Sequence, residues 1–200
     1  MNDKEDVHVR HVRLLLVFIL LTLLVACGGK IEENISEQLP EFEYTTQNGE
    51  TFGLNDLKGQ WWLASFVYTN CKTVCPVMTK NMAKLQQELK ENKLDIQIVS
   101  FSVDPEFDTP EVLKQYAQDY GVDFSNWTFL TGYQFKTIQD LSMNYFKTSL
   151  QKASPGTGND QIAHGTSFFL VNPKGKIVKK YDGVGEEGQK QAILDIKALQ

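Results

Sequence analysis

Residues 61–76 read Trp-Trp-Leu-Ala-Ser-Phe-Val-Tyr-Thr-Asn-Cys-Lys-Thr-Val-Cys-Pro. The first half is an almost unbroken apolar run rich in aromatic residues, which predicts a buried central strand over 61–68. Cys71 and Cys75 follow directly, and Pro76 is typical of the first turn of a helix. The stretch therefore predicts a strand, a pair of thiols and a helix in immediate succession.

The sequence on either side continues as alternating strands and helices. Apolar residues at helical spacing continue to about residue 91, and alternation over 95–103 predicts a second buried strand, which completes a βαβ unit. The other predicted elements are a hairpin at Asn48-Gly49, helices over 110–120, 133–145 and 186–199, a strand over 127–130, an exposed loop over 154–159, and a hairpin of 166–171 with 177–181. This order predicts an α/β, thioredoxin-like fold, whose central mixed sheet is flanked by helices, with an N-terminal extension and an inserted segment.

The N-terminus is predicted to be a lipoprotein signal peptide, residues 1–26. Basic residues precede an apolar run over 14–26, which covers about 20 Å as a helix and is too short for a bilayer core of about 30 Å. The run ends at Cys27, in a context that resembles the bacterial lipoprotein box, where the cysteine is lipidated. We expect residues 27–39 to be a lipid-anchored flexible tether and residues 40–200 to form the domain, on the extracytoplasmic face of the cell membrane. A short anchor that is not cleaved is the alternative.

The bulk composition restricts the function. Two hundred residues with 42% hydrophobic and 22% charged content suit one globular domain. The net charge of -5 argues against a nucleic-acid partner, because no basic stripe is available for phosphates. Of three cysteines, only Cys71 and Cys75 remain if Cys27 is lipidated, and near neighbours in an oxidising compartment are usually expected to pair.

The Cys-x-x-x-Cys spacing leaves a disulfide, thiol exchange and metal binding all open. A thiol at a helix N-terminus has a lowered pKa, and Lys72 adds a nearby cation. On a helix this spacing puts both sulfurs on one face with Cβ atoms about 6 Å apart, which is wide for a disulfide unless a bent loop closes the gap. It also leaves room for a metal ion between two sulfurs at about 2.3 Å.

A metal site needs a further ligand, and His164 is the histidine that lies outside the predicted signal peptide. A lone histidine is more often structural than a ligand. However, His164 lies just before the strand predicted over 166–171, where the thioredoxin topology brings a loop against the cysteine loop. Two thiolates and one imidazole suit copper as Cu(I) or Cu(II), whereas zinc would want a fourth ligand or water.

Three motifs resemble the SCO/SenC family of membrane-tethered, thioredoxin-like copper proteins that assist assembly of cytochrome c oxidase. In order, they are Tyr-Thr-Asn-Cys-Lys-Thr-Val-Cys-Pro at 68–76, Ser-Val-Asp-Pro-Glu-Phe-Asp-Thr-Pro at 102–110, and His164 leading into Phe-Phe-Leu-Val-Asn-Pro-Lys-Gly at 168–175. The match extends over most of the chain from about residue 40 to 199.

The resemblance implies that Cys71, Cys75 and His164 are copper ligands and that Asp104 lies near the site as an acid that tunes it; a turn residue is the alternative for Asp104. It implies a metallochaperone that serves the binuclear copper (CuA) site of cytochrome c oxidase. The expected partners are the copper-site subunit, together with other copper chaperones or thiol-disulfide reductants. The alternatives are a membrane-tethered thiol-disulfide oxidoreductase that reduces the oxidase cysteines through Cys71 and Cys75, and a redox or copper sensor.

The chain departs from the family pattern beside each predicted ligand. Many relatives carry Pro-Asp after the first cysteine, where this chain has Lys72-Thr73. Many also carry Asp-His-Ser around the histidine, where this chain has Ala163 and Gly165. The second departure removes a carboxylate that could act as a hydrogen-bond partner of His164.

Overall fold

The computed structural model describes residues 31–153 and 162–199. The strands are β1 (Glu37–Gln38), β2 (Glu43–Thr46), β3 (Thr51–Gly53), β4 (Trp62–Val67), β5 (Gln97–Ser102), β6 (Trp127–Thr131), β7 (Leu150–Lys152), β8 (Ile162–His164), β9 (Ser167–Val171) and β10 (Lys176–Asp182). The helices are α1 (Cys75–Glu91), α2 (Pro110–Asp119), α3 (Phe135–Asn144) and α4 (Glu186–Lys197), and a short 3-10 helix spans Leu54–Leu57.

Eight strands form one mixed sheet in the order β1-β10-β9-β4-β5-β6-β2-β3. Strands β4, β5 and β6 are parallel, and β9 pairs antiparallel with the other edge of β4. All six residues of β4 are buried, as the apolar run predicts for a central strand. The predicted thioredoxin-like α/β fold is therefore confirmed, and the cysteines follow its central strand.

An aromatic cluster underlies the central strands. Phe66 of β4, Phe101 of β5, Phe169 of β9 and Phe146 after α3 are all essentially inaccessible to solvent. The ring centroids of Phe66 and Phe146 are 5.1 Å apart, and those of Phe146 and Phe169 are 5.0 Å apart, both edge to face. Such aromatic pairs stabilise a fold beyond the effect of burying their surface area. The cluster therefore supports the end of β4 that precedes the cysteines.

The segment from Asn34 to Leu39 contacts the sheet, although the sequence predicts that the domain begins at Pro40. The Asn34 side chain donates to the Lys180 carbonyl at 3.0 Å and accepts from the Lys180 N–H at 2.8 Å. Strand β1 then pairs with the edge of β10, and Leu39 is buried. The polar composition suggested a flexible tether, but a side-chain amide that mimics a strand backbone joins this segment to the sheet from Asn34 onward.

Some predictions concern residues outside the described part of the chain. They are the signal peptide, the lipidation of Cys27 and the loop over 154–159. In residues 31–153 and 162–199, no helix has the length and apolar character needed to cross a bilayer.

Candidate functional site

The two cysteines lie at the C-terminal end of β4, in different local environments. The chain turns after β4, and the Cys71 N–H donates to the Tyr68 carbonyl at 3.4 Å. Cys75 is the first residue of α1. Cys71 therefore precedes the helix, and the two sulfurs do not share the helical face that the spacing alone predicts. Both are free thiols, with Cys71 5% and Cys75 0% exposed.

The Cys71 sulfur faces the start of α1. It accepts a hydrogen bond from the Cys75 backbone N–H at 3.4 Å and lies 3.7 Å from the Thr73 hydroxyl. These contacts are possible because the six residues between Tyr68 and Cys75 bend back over the helix N-terminus, where backbone N–H groups lack partners inside the helix. The turn thus brings the first sulfur to the donors at the start of the helix.

His164 reaches the same pocket from outside the main sheet. It ends β8, which pairs with β7 in a separate two-stranded sheet, whereas the sequence indicated a loop. Its Nε2 atom lies 3.0 Å from the Cys75 sulfur, and its Nδ1–H donates to the Gly165 carbonyl at 2.8 Å. The structure therefore brings together the three residues that the sequence singles out.

Burial and hydrogen bonding act differently on the three groups. Burial alone would raise the pKa of Cys71, but hydrogen bonds from Cys75 and Thr73 outweigh it and lower the pKa to about 7. Burial raises the pKa of Cys75 far above its ordinary value, and the hydrogen bond with Cys71 adds to this rise. Burial also lowers the pKa of His164, against a smaller opposite effect of the Gly165 carbonyl. At neutral pH the pocket thus holds one activated thiol beside a neutral thiol–imidazole pair.

The activation predicted from the helix dipole and Lys72 is therefore confined to one cysteine. Cys75, although it occupies the helix terminus, is too deeply buried to ionise readily. Lys72 is exposed, and hydrogen bonds to the sulfur are what lower the pKa of Cys71.

Tyr68 is a site residue that the sequence reasoning did not single out. Its hydroxyl accepts from the Ile162 N–H at 3.4 Å. Burial, followed by a hydrogen bond with the Cys71 side chain, raises the pKa of Tyr68, so that the phenol stays protonated. Its ring also meets His164 edge to face at 5.7 Å. A tyrosine that directly follows the buried strand and precedes the cysteines was the available signal.

Asp108 is a second site residue that the sequence reasoning did not single out, although its position directly before a predicted helix is typical of a helix cap. Thr109 is the cap of α2, and its side chain accepts from the Val112 N–H. Asp108 is instead 0% exposed and accepts from the Thr69 hydroxyl at 2.5 Å and the Ser102 hydroxyl at 2.6 Å. Burial raises its pKa, against the opposite effect of these bonds. This carboxyl ties the cysteine turn to the end of β5.

Asp104 is half-buried and shapes the adjacent turn. Its backbone carbonyl accepts from the N–H groups of Phe107 at 3.0 Å and Asp108 at 2.8 Å. Burial raises the pKa of its carboxyl, and Lys152 opposes the rise. Among the described residues, no hydrogen bond joins this carboxylate to either cysteine or to His164, so the turn role is the one that the contacts support.

The donors suit a soft metal, although their arrangement is that of a hydrogen-bonded site. In the described ranges, no group of three or more His, Cys, Asp or Glu side chains is spaced to hold a metal ion. Metal–sulfur and metal–nitrogen bonds of about 2.3 and 2.0 Å would hold their two atoms about 3.5 Å apart, whereas Cys75 Sγ and His164 Nε2 are 3.0 Å apart. The residues fit an ion in the chemistry of their donors, two sulfurs and one imidazole nitrogen.

A surface groove gives access to the pocket from one side. It runs between the cysteine turn and the β7–β8 sheet, and its lining includes Cys71, Tyr68 and His164. Cys75 does not line it and is fully buried. A partner that enters the groove would therefore meet Cys71 first.

The fold and this pocket define a thioredoxin-like protein in which two cysteines after the central strand meet a histidine from a neighbouring hairpin. Within this class the chain belongs to the SCO1/SenC family, whose sequence model matches residues 32–199.

Individual relatives agree with this assignment. The SCO1 protein homolog of Bacillus subtilis (strain 168) is 41% identical over 181 residues, which cover 90% of this chain and 92% of that protein. A SCO1/SenC family lipoprotein from Bacillus anthracis str. Ames has a crystal structure with 46% identity and a TM-score of 0.78, covering 84% of this chain and 98% of that one.

Two further structures are relevant to the chemistry. BsSco, a member of the Sco family of cytochrome c oxidase assembly proteins in which a disulfide switch was identified, has 41% identity and a TM-score of 0.76, with 84% of this chain and 96% of that one covered. ScoI from Bradyrhizobium japonicum, solved with copper bound, has 23% identity and a TM-score of 0.67, with 82% and 99% covered. At that identity the second likeness establishes the fold alone.

Proposed function

We propose that this protein is a copper-binding metallochaperone that assists assembly of the binuclear CuA site of cytochrome c oxidase, with Cys71, Cys75 and His164 as its copper ligands. The observation that carries the proposal is the contact of Cys75 Sγ with His164 Nε2 at 3.0 Å, beside the Cys71 sulfur in the same turn. Sulfur and imidazole ligands suit copper in both oxidation states, Cu(I) and Cu(II).

A relative supports the oxidase side of this role, and the chemistry of the donors supports copper. BsSco belongs to a family of cytochrome c oxidase assembly proteins, and two sulfurs with one imidazole suit copper. The proposed partner is therefore the copper-site subunit of the oxidase. Copper is the cargo in this account, and the low pKa of Cys71 favours the thiolate that would hold it.

We further propose that Cys27 carries a lipid and that the domain lies at the extracytoplasmic face of the membrane. The signal-like N-terminus supports this, as does the description of the Bacillus anthracis relative as a lipoprotein. Asn34 is hydrogen-bonded to the edge strand β10, and the seven residue steps from Cys27 to Asn34 span at most about 25 Å. A lipid at Cys27 would hold the domain close to the bilayer.

Titration of the reduced full chain with Cu(I) and Cu(II), followed by sulfur-to-copper absorption, tests the ligand set. We expect His164→Ala, Cys71→Ser and Cys75→Ser each to abolish tight Cu(II) binding. Lys72→Gln is the matched control, because this side chain is exposed beside Cys71 and should leave binding unchanged. Wild-type affinity and colour in His164→Ala would contradict the three-ligand proposal.

Thiol-disulfide exchange is the second candidate function, and the unequal thiols favour it. Cys71 has a pKa of about 7 and lines the groove, whereas Cys75 is fully buried and has a raised pKa. This pattern is that of an attacking and a resolving thiol. The His164→Ala variant separates the two functions, because it retains both thiols. Undiminished reduction of a peptide disulfide together with lost copper binding would assign the exchange to the cysteines alone.

A further inference from the structure

The ring of His164 has a fixed tautomer. Its Nδ1 atom lies 2.8 Å from the Gly165 carbonyl oxygen, and a carbonyl can only accept, so Nδ1 carries the proton. A neutral imidazole has one N–H group, which leaves the lone pair on Nε2. That lone pair faces the Cys75 sulfur at 3.0 Å. The peptide of Gly165 thus decides which nitrogen is presented to the pocket.

The position of the Gly165 peptide depends on the absence of a side chain. A Cβ atom at Gly165 would lie 1.6 Å from the Thr148 Oγ1 atom and 3.0 Å from the Thr148 Cβ atom. Its φ angle is outside the left-handed region, so space rather than backbone conformation excludes a larger residue. The Gly165 N–H donates to the Ser149 carbonyl at 3.1 Å, which holds the two strands at this close approach.

Thr148 is itself held by hydrogen bonds to α3. Its N–H donates to the Ser142 carbonyl at 3.1 Å, and its carbonyl accepts from the Ser142 hydroxyl at 3.0 Å. Ser142 belongs to α3 and is 1% exposed. Helix α3 therefore holds Thr148, and the Thr148 side chain occupies the space beside Gly165. The Gly165 carbonyl in turn orients His164.

We propose that Gly165 and Thr148 are a matched positioning pair that sets the tautomer and direction of His164. No carboxylate flanks the histidine in this chain, where Ala163 and Gly165 are its neighbours. The backbone carbonyl supplies the hydrogen-bond partner that a ligating histidine needs on its second nitrogen. The consequence for copper rests on the proposed function, whereas the tautomer is a property of the protein without metal.

The tautomer can be measured on the reduced, metal-free full chain in detergent micelles, labelled with 15N-histidine. The His164 signals, assigned with a His164→Asn variant, should have a protonated Nδ1 and a bare Nε2. Gly165→Ala should shift the ring towards the other tautomer or a mixture, since the added methyl group displaces the peptide. The double variant Gly165→Ala/Thr148→Ala removes the contacting hydroxyl and should restore most of the wild-type signal.

Ala163→Ser is the control, because it alters the exposed neighbour on the other side of His164 and should change nothing. Retention of the Nδ1–H tautomer in Gly165→Ala would overturn the proposal. If Gly165→Ala does not fold, recovery of folding and tautomer in the double variant supports the pairing, and failure of the double variant overturns it.

Copper affinity is a separate readout on the same variants. Loss of the partner on the second nitrogen should weaken Cu(II) binding about 10- to 100-fold, with recovery in the double variant. Wild-type affinity in a Gly165→Ala protein whose tautomer has changed would overturn the positioning role in copper binding. Absence of copper binding in the wild-type chain would reject the proposed function while the tautomer result still stands.

Discussion

Cys71 should react with iodoacetamide along a titration curve centred near pH 7, because its pKa is about 7 against an ordinary value of 9.0. At pH 7 about half of this thiol is ionised, compared with about 1% of an ordinary one, a gain of about 50-fold. Thiolate nucleophilicity falls about 10-fold over two pKa units. The net rate should therefore be about five-fold above that of an equally accessible ordinary thiol.

The rate is measured on the reduced full chain in a Cys75→Ser background, with the modified Cys71 peptide quantified by mass spectrometry from pH 5 to 10. The serine keeps both a backbone N–H and a hydroxyl donor near the Cys71 sulfur. Because burial slows the reaction at every pH, the midpoint is the decisive quantity. A midpoint above pH 8 would refute the argument that hydrogen bonds outweigh burial.

Two variants identify the cause of the shift. Thr73→Ala removes a hydroxyl 3.7 Å from the sulfur and should move the midpoint upward. Lys72→Gln should leave the midpoint in place, because hydrogen bonds to the sulfur lower the pKa of Cys71. The lowered pKa of Cys71 also makes the stability of the reduced protein depend on pH. Because the pKa is lower in the folded than in the unfolded state, ionisation of Cys71 contributes fully to the free energy of unfolding above pH 9, and this contribution is lost as the pH falls through 7.

The remaining predictions concern the support of the site. Asp108→Ala should lower the free energy of unfolding by about 3 kcal/mol, because it leaves the Thr69 and Ser102 hydroxyls without their acceptor. Asp108→Asn keeps one acceptor and should lower the free energy of unfolding by only about 1 kcal/mol. Equal losses for the two variants in denaturant titrations would contradict this account. Phe66→Ala should cost about 3–5 kcal/mol through a cavity in the aromatic cluster, whereas Phe107→Ala, at a position 52% exposed, should stay within about 0.5 kcal/mol. Comparable melting temperatures for the two variants would reject the difference.

Local patterns were sufficient for most of the fold. The apolar run before the cysteines became β4, and the helical spacing after Pro76 became α1, which extends to Glu91 as predicted. These elements are determined by which residues can be buried at a given period. The pairing of β1 with β10 was not predictable in this way, because two polar residues joined to a sheet edge carry no apolar period.

The sequence by itself determined the donor types of this protein, since two cysteines after a buried strand and one histidine outside the signal-like segment allow few assignments. Only the tertiary structure decided their states. It buries Cys75 against His164 and places the Cys71 sulfur beside hydrogen-bond donors. As a result, the pKa of Cys71 is below the ordinary value of a cysteine and the pKa of Cys75 is above it. It also places Thr148 against Gly165. These effects arise from contacts between residues far apart in the chain, whose desolvation and hydrogen bonding no local pattern encodes.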